Sequence, residues 1–189
     1  MSKIAIDIVL LPPENIMDKA IEINNELIDD PIKLNKENCL PHISLCMGVI
    51  EEKDLLRAKE ILNKIGKDFS KLSLTINKIN SENTCFNIKK DKKLQKLHET
   101  VITRLSPCLS YDATIDMCFF PPPIVLETLF WINNYREKFS FENFHPHITL
   151  GISKLSDKEL NINFVASKVA ICHLGNYCTC RKILHSIIL

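Results

Sequence analysis

A five-residue phrase occurs twice in this 189-residue chain, and it limits the fold more than any other feature. Pro41-His42-Ile43-Ser44-Leu45 returns as Pro146-His147-Ile148-Thr149-Leu150, with the histidines 105 residues apart (147 − 42). In extended backbone, alternate side chains share a face. Each phrase therefore presents an imidazole and a hydroxyl on one side and an isoleucine on the other. Two such strands turned toward each other bring two histidines and two hydroxyls into one cleft. Each phrase also follows a helical segment through a polar loop, as expected of two related lobes.

The segments between the phrases suit alternating strands and helices. Ile4 to Leu11 is apolar and β-branched, a central strand that Pro12-Pro13-Glu14 ends. Ile16, Ala20, Ile23 and Leu27 recur at helical spacing, and Asp30-Pro31 breaks the pattern. A second helix is expected over Glu51 to Ile65, with acidic residues at its start and Gly66 as its stop. Leu72 to Ile76 and Thr84 to Ile88 read as a hairpin. A third helix begins in Lys89 to Lys93 and carries Leu94, Leu97, Val101 and Leu105 inward, with His98 on its surface.

Met117 to Phe120 is expected to be a short strand or a packed connection, and Pro121-Pro122-Pro123 cannot be central to a regular element. Ile124 to Phe139 is expected to form a fourth helix that buries Leu126, Leu129, Phe130 and Ile132. Val169 to Leu174 and Ile183 to Leu189 flank the turn Gly175 to Arg181 as a terminal hairpin. The expected fold class is α+β, with residues 1–189 as a single bilobal domain.

Composition narrows the function. The net charge is +1, from 24 basic and 23 acidic residues. A protein that tracks long duplexes carries a more basic surface, so a nucleotide or an RNA end is the expected partner. No apolar run reaches the ~20 residues of a membrane helix, and Ile4 to Leu11 is interrupted by Asp7 with no small-residue cleavage site. A cytoplasmic monomer without membrane association is the expectation. The eight cysteines are then expected to be mostly reduced and partly buried.

The chemistry rests on the phrases. An imidazole takes and gives protons near neutral pH. One histidine can remove a proton from the attacking oxygen while the other, as imidazolium, protonates the leaving oxygen. Ser44 and Thr149 would supply donors to the phosphoryl oxygens, and the scheme needs neither metal nor cofactor. Tyr177 and Arg181, in the C-terminal turn, offer a face to stack on a base and a guanidinium to hold a phosphate. His145-x-His147, Cys172-His173 and Cys178-x-Cys180 contain metal-binding residue types, but their spacing fits no standard zinc module, so no metal is expected.

Two His-x-Ser/Thr phrases about 100 residues apart resemble the 2H phosphoesterase superfamily, in particular its 2′-5′ RNA ligase-like proteins. The resemblance implies two antiparallel sheets facing a central cleft, with helices outside. It implies an enzyme acting on 2′,3′-cyclic phosphates, 2′-5′ phosphodiesters or RNA 3′ ends. His42 and His147 would be the acid–base pair, and Ser44 and Thr149 the phosphate donors. Trimming of RNA 3′ ends and non-catalytic binding of an RNA end or nucleotide stand as alternatives.

Overall fold

The structure, a computed structural model, describes residues 2–119 and 123–189; the expectations for Phe120 and Pro121-Pro122 lie outside the described residues. The elements follow in the order β1 (Lys3–Leu11), α1 (Glu14–Glu26), β2 (Ile43–Glu51), α2 (Leu55–Asp68), β3 (Leu72–Asn80), β4 (Cys85–Ile88), α3 (Lys92–Leu105), α4 (Leu126–Lys138), β5 (His147–Thr149), β6 (Lys158–Ala166), β7 (Lys168–Leu174) and β8 (Cys180–Ile188). The strands make two four-stranded antiparallel sheets, ordered β2-β1-β7-β8 and β5-β4-β3-β6. The fold class is α+β, as expected. Among the described residues, no helix is long and apolar enough to cross a membrane.

β1 is central because nearly every residue on both of its faces is apolar; from Ala5 to Leu11 it is buried without a break. Its neighbours come from opposite ends of the chain, β2 on one side and β7 on the other. The second sheet is built around the β3–β4 hairpin, whose open edges take β5 and β6. Each phrase thus leads into an edge strand, β2 in one sheet and β5 in the other. Proline suits the start of both strands, since it needs no ladder partner for its nitrogen.

Four details differ from the expectations. α2 does not stop at Gly66 but runs on to Asp68. A Cβ at Gly66 would come within 2.6 Å of Ile187 Cδ1, so this glycine admits β8 and does not end the helix. α3 starts only at Lys92, where the Asp91 carboxylate accepts a hydrogen bond from Leu94 N. His98 is fully buried and not on the surface, because α3 packs that face against β2. α4 leaves Leu126 and Phe130 exposed at 74% and 47% and buries Thr128, Ile132 and Tyr135, because a polar turn docks at its N-terminus.

That turn is Gly175 to Arg181. Asn176 Oδ1 accepts hydrogen bonds from Val125 N and Thr128 Oγ1, capping a helix whose own N-cap residue, Val125, has no side-chain oxygen. Tyr177 N donates to Thr128 Oγ1, which fixes the turn on the helix. Of the eight cysteines, Cys39, Cys46, Cys85, Cys108, Cys118 and Cys178 are free and buried, as small apolar residues are. Cys172 on β7 and Cys180 on β8 form a disulfide, with their Cα atoms 5.5 Å apart.

Candidate active site

The two edge strands border one cleft of about 440 Å³. His42, Ser44, His147, Thr149 and Tyr177 all line it. The cleft therefore brings together five of the six residues singled out in the sequence. Arg181 is the exception. Its side chain runs beside Gly175 and reaches the Cys39 thiol, and it does not line the cleft.

Both histidines are held by the same local device. His42 Nδ1 donates to Leu40 O at 2.7 Å, and His147 Nδ1 donates to His145 O at 2.8 Å. A carbonyl only accepts, so Nδ1 carries the proton in each ring and the neutral imidazole keeps Nε2 free as the working nitrogen. Each phrase thus orients its own histidine through the carbonyl two residues earlier.

Their surroundings differ. The His42 side chain is 12% exposed, and burial pushes its pKa down to about 4, opposed by its Leu40 hydrogen bond and helped by charge on His147. His147 stands exposed at the mouth of the cleft, yet desolvation by the cleft walls also lowers its pKa from the ordinary 6.5. Ser44 Oγ is hydrogen-bonded to Asp7 Oδ2, 2.5 Å away. Among the described residues, the Thr149 hydroxyl has no protein partner.

Asp7 is a site residue that the two phrases do not reveal. It sits on β1, is fully buried, and brings Oδ2 to 3.7 Å from His42 Nε2. Among the described residues, its other oxygen, Oδ1, has no hydrogen-bond partner. Burial pushes its pKa well up, against its hydrogen bonds with Ser44 and the Cys46 backbone. The only hint in the sequence is a lone carboxylate within the apolar run Ile4 to Leu11.

The second phrase is anchored from the first half of the chain. Buried Asn24 on α1 donates through Nδ2 to Ile32 O and Leu150 O, and its Oδ1 accepts from Leu34 N. Buried Asp30 accepts from Ile32 N, Ile152 N and Ser153 N. Gly151 fits this anchor because a Cβ there would meet Leu27 and come within 2.6 Å of Asp30 Oδ2. His98 makes a second connection. Its Nδ1 donates to Leu45 O at 2.8 Å, its Nε2 accepts from Phe141 N at 2.9 Å, and its ring stacks on Phe144 at 3.8 Å. One neutral imidazole thus joins the end of the first phrase to the approach of the second.

The apolar wall of the cleft includes Trp131, Phe139, Phe144 and Tyr177, and its polar wall includes Asn80, Asn83, Asn87 and Asn143. Tyr177 takes a left-handed backbone conformation (φ 55°), an uncommon one for an aromatic residue. Among the described residues, no group of three or more His, Cys, Asp or Glu is arranged to hold a metal ion.

No family model matches the sequence, and no curated protein matches it significantly. Solved structures do match over the whole length. A crystal structure of E. coli LigT complexed with 3′-AMP is 13% identical, covers 100% of this chain and 99% of its own, and superposes with a TM-score of 0.54. A structure described as a phosphoesterase is 12% identical, with 98% of each chain covered and a TM-score of 0.57. The protein TT0787 of Thermus thermophilus is 10% identical, with 98% of each chain covered and a TM-score of 0.59. At such identities, what is shared is the fold.

Proposed function

We propose that this chain, which has the LigT-like 2H phosphoesterase fold, is a metal-independent 2H phosphoesterase. It hydrolyses a 2′,3′-cyclic phosphate or a 2′-5′ phosphodiester at a nucleotide or RNA end. The observation that carries the reading is the matched pair of histidines, each with Nδ1 fixed by a carbonyl and Nε2 free in one cleft.

His42 is the general base. Its depressed pKa keeps the ring neutral, so Nε2 takes a proton from the attacking water. His147, open to solvent, reloads a proton and donates it to the leaving oxygen on the other side of phosphorus. In the reverse reaction the two exchange roles. Thr149 and Ser44 hydroxyls donate to the phosphoryl oxygens, whose charge grows in the transition state. Tyr177 and Trp131 give a base an aromatic surface. The crystallised complex of LigT with 3′-AMP makes a nucleotide a fitting occupant here.

The test is turnover of a nucleoside 2′,3′-cyclic phosphate and a 2′-5′ linked dinucleotide in excess chelator. Phosphorus NMR follows the bond and identifies the oxygen that keeps the phosphate. Turnover that vanishes in both His42→Ala and His147→Ala is the expected result. Binding of nucleotide without turnover of either substrate by the wild type would replace this reading with that of a non-catalytic binder.

A further inference from the structure

Two hydroxyls are assigned the same work, but only one is free to do it. Among the described residues, Thr149 faces the cleft without a protein partner, whereas Ser44 is engaged by Asp7. If Asp7 is a carboxylate, Ser44 must spend its proton on Oδ2. It then has only lone pairs to offer a phosphoryl oxygen, and a buried negative charge stands beneath the anion. If Asp7 is a carboxylic acid, it can donate to Ser44 Oγ, and the Ser44 proton points outward.

The surroundings of Asp7 favour the uncharged form. The carboxyl is fully buried, and among the described residues Oδ1 has no hydrogen-bond partner. Among the described residues, His42 is its only ion-pair partner, and at 3.7 Å. The other titratable groups nearby are Cys46 on β2, Tyr135 on α4 and Cys178 in the turn, none of which carries positive charge. A fully buried carboxylate with one oxygen unpaired is costly even with a hydrogen bond from the Cys46 backbone, and the group keeps its proton instead.

We propose that Asp7 serves the cleft as an uncharged carboxylic acid. It is a positioning residue that donates to Ser44 Oγ and leaves the Ser44 proton for a phosphoryl oxygen. The proposal rests on the reading of the cleft as a phosphate site. It makes the site's first half a relay, from the Asp7 carboxyl through the Ser44 hydroxyl to the anion, while its second half uses Thr149 directly.

The test compares Asp7→Asn with Asp7→Ala at pH 7. The probe is inorganic sulfate, a tetrahedral anion whose charge does not change near neutrality, with affinity read by calorimetry. The Asn amide can donate to Ser44 Oγ as the acid does, so Asp7→Asn is expected to bind within about threefold of the wild type. Asp7→Ala is expected to lose about tenfold, because the Ser44 hydroxyl, no longer held from below, is free to turn its proton away from the anion. Equal losses in both variants, or no loss in Asp7→Ala, would overturn the proposal. A purely structural role predicts that the folded fraction of each variant binds alike.

A second measurement needs no folded variant at position 7. In wild-type protein labelled at aspartate Cγ, one carboxyl carbon should resonate at the protonated position at pH 7 and shift in Ser44→Ala. Aspartates that are all ionised at pH 7 would refute the idea. Both readouts stand even if neither ester is turned over, so failure of the proposed reaction is told apart from failure of the relay.

Discussion

The two phrases match closely in sequence, yet the fold places them in opposite settings. The first enters a nine-residue strand beside the most buried strand of the molecule. Its histidine is nearly covered and its serine is tied to a carboxyl. The second enters a three-residue strand at the rim of the other sheet, with an exposed histidine and a free threonine. Each phrase supplies the local device that aims its own imidazole, but the depth of the strand decides how readily that imidazole holds a proton. Similar words in different settings give one covered imidazole and one exposed imidazole.

The strongest way to break that comparison is to remove each histidine. His42→Ala and His147→Ala are each expected to lower kcat/KM about 10²–10⁴-fold, the usual worth of a general acid or base, on cyclic-phosphate turnover. A loss confined to one variant would mean that the phrases do not share a reaction. Asn24→Ala asks whether the second phrase depends on the first lobe. It leaves Ile32 O, Leu150 O and Leu34 N without their partner. We expect a loss of about 3 kcal/mol in urea denaturation, and at least about a tenfold drop in kcat as His147 loses its position.

The pH profile sharpens the assignment of roles. kcat/KM should rise with pH through about 4, as His42 loses its proton and becomes a base. It should fall again before pH 6.5, because the pKa of His147 is lowered and the acid form is lost on that side. An optimum at or above pH 8 would contradict both assignments. A last effect, on stability and not on turnover, concerns His98. Burial pushes its pKa down to about 4 from 6.5. The unfolded chain therefore binds the extra proton first: stability from this group is present above pH 6.5 and lost as pH falls toward 4. Across that window, His98→Asn should flatten the fall of the urea midpoint by about one proton's worth, roughly 1.4 kcal/mol per pH unit. An unchanged slope would show that His98 is charged in the fold.

Much of this arrangement was legible in the sequence because the phrases carry their own geometry. Period-two spacing puts each histidine and hydroxyl on one face, and a proline marks the start of an edge strand. The parts that escaped are those defined by tertiary partners. β6 turns Leu160, Ile162, Phe164 and Ala166 inward with exposed Asn161 and Asn163 between them, a short alternation that follows a polar stretch and becomes a strand by pairing with β3. The buried face of α4 follows Asn176, which docks on Thr128 from almost 50 residues away. Asp7 and His98 are single polar residues in apolar patterns, and only the neighbouring strand tells a buried working group from a solvated one.

The order of the strands has a consequence for how the molecule is made. The first sheet begins with residues 3–11 and is completed only by residues 168–188. During synthesis the second lobe can pair its hairpin and helices while β1 and β2 wait with an open flank. Unpaired strand edges of this kind are where nascent chains stick to one another. The Cys178 turn that borders the cleft arrives with the same last strands. Until the C-terminal hairpin pairs with β1, an incomplete chain therefore lacks Tyr177, Cys178 and Thr179 from the wall of the cleft.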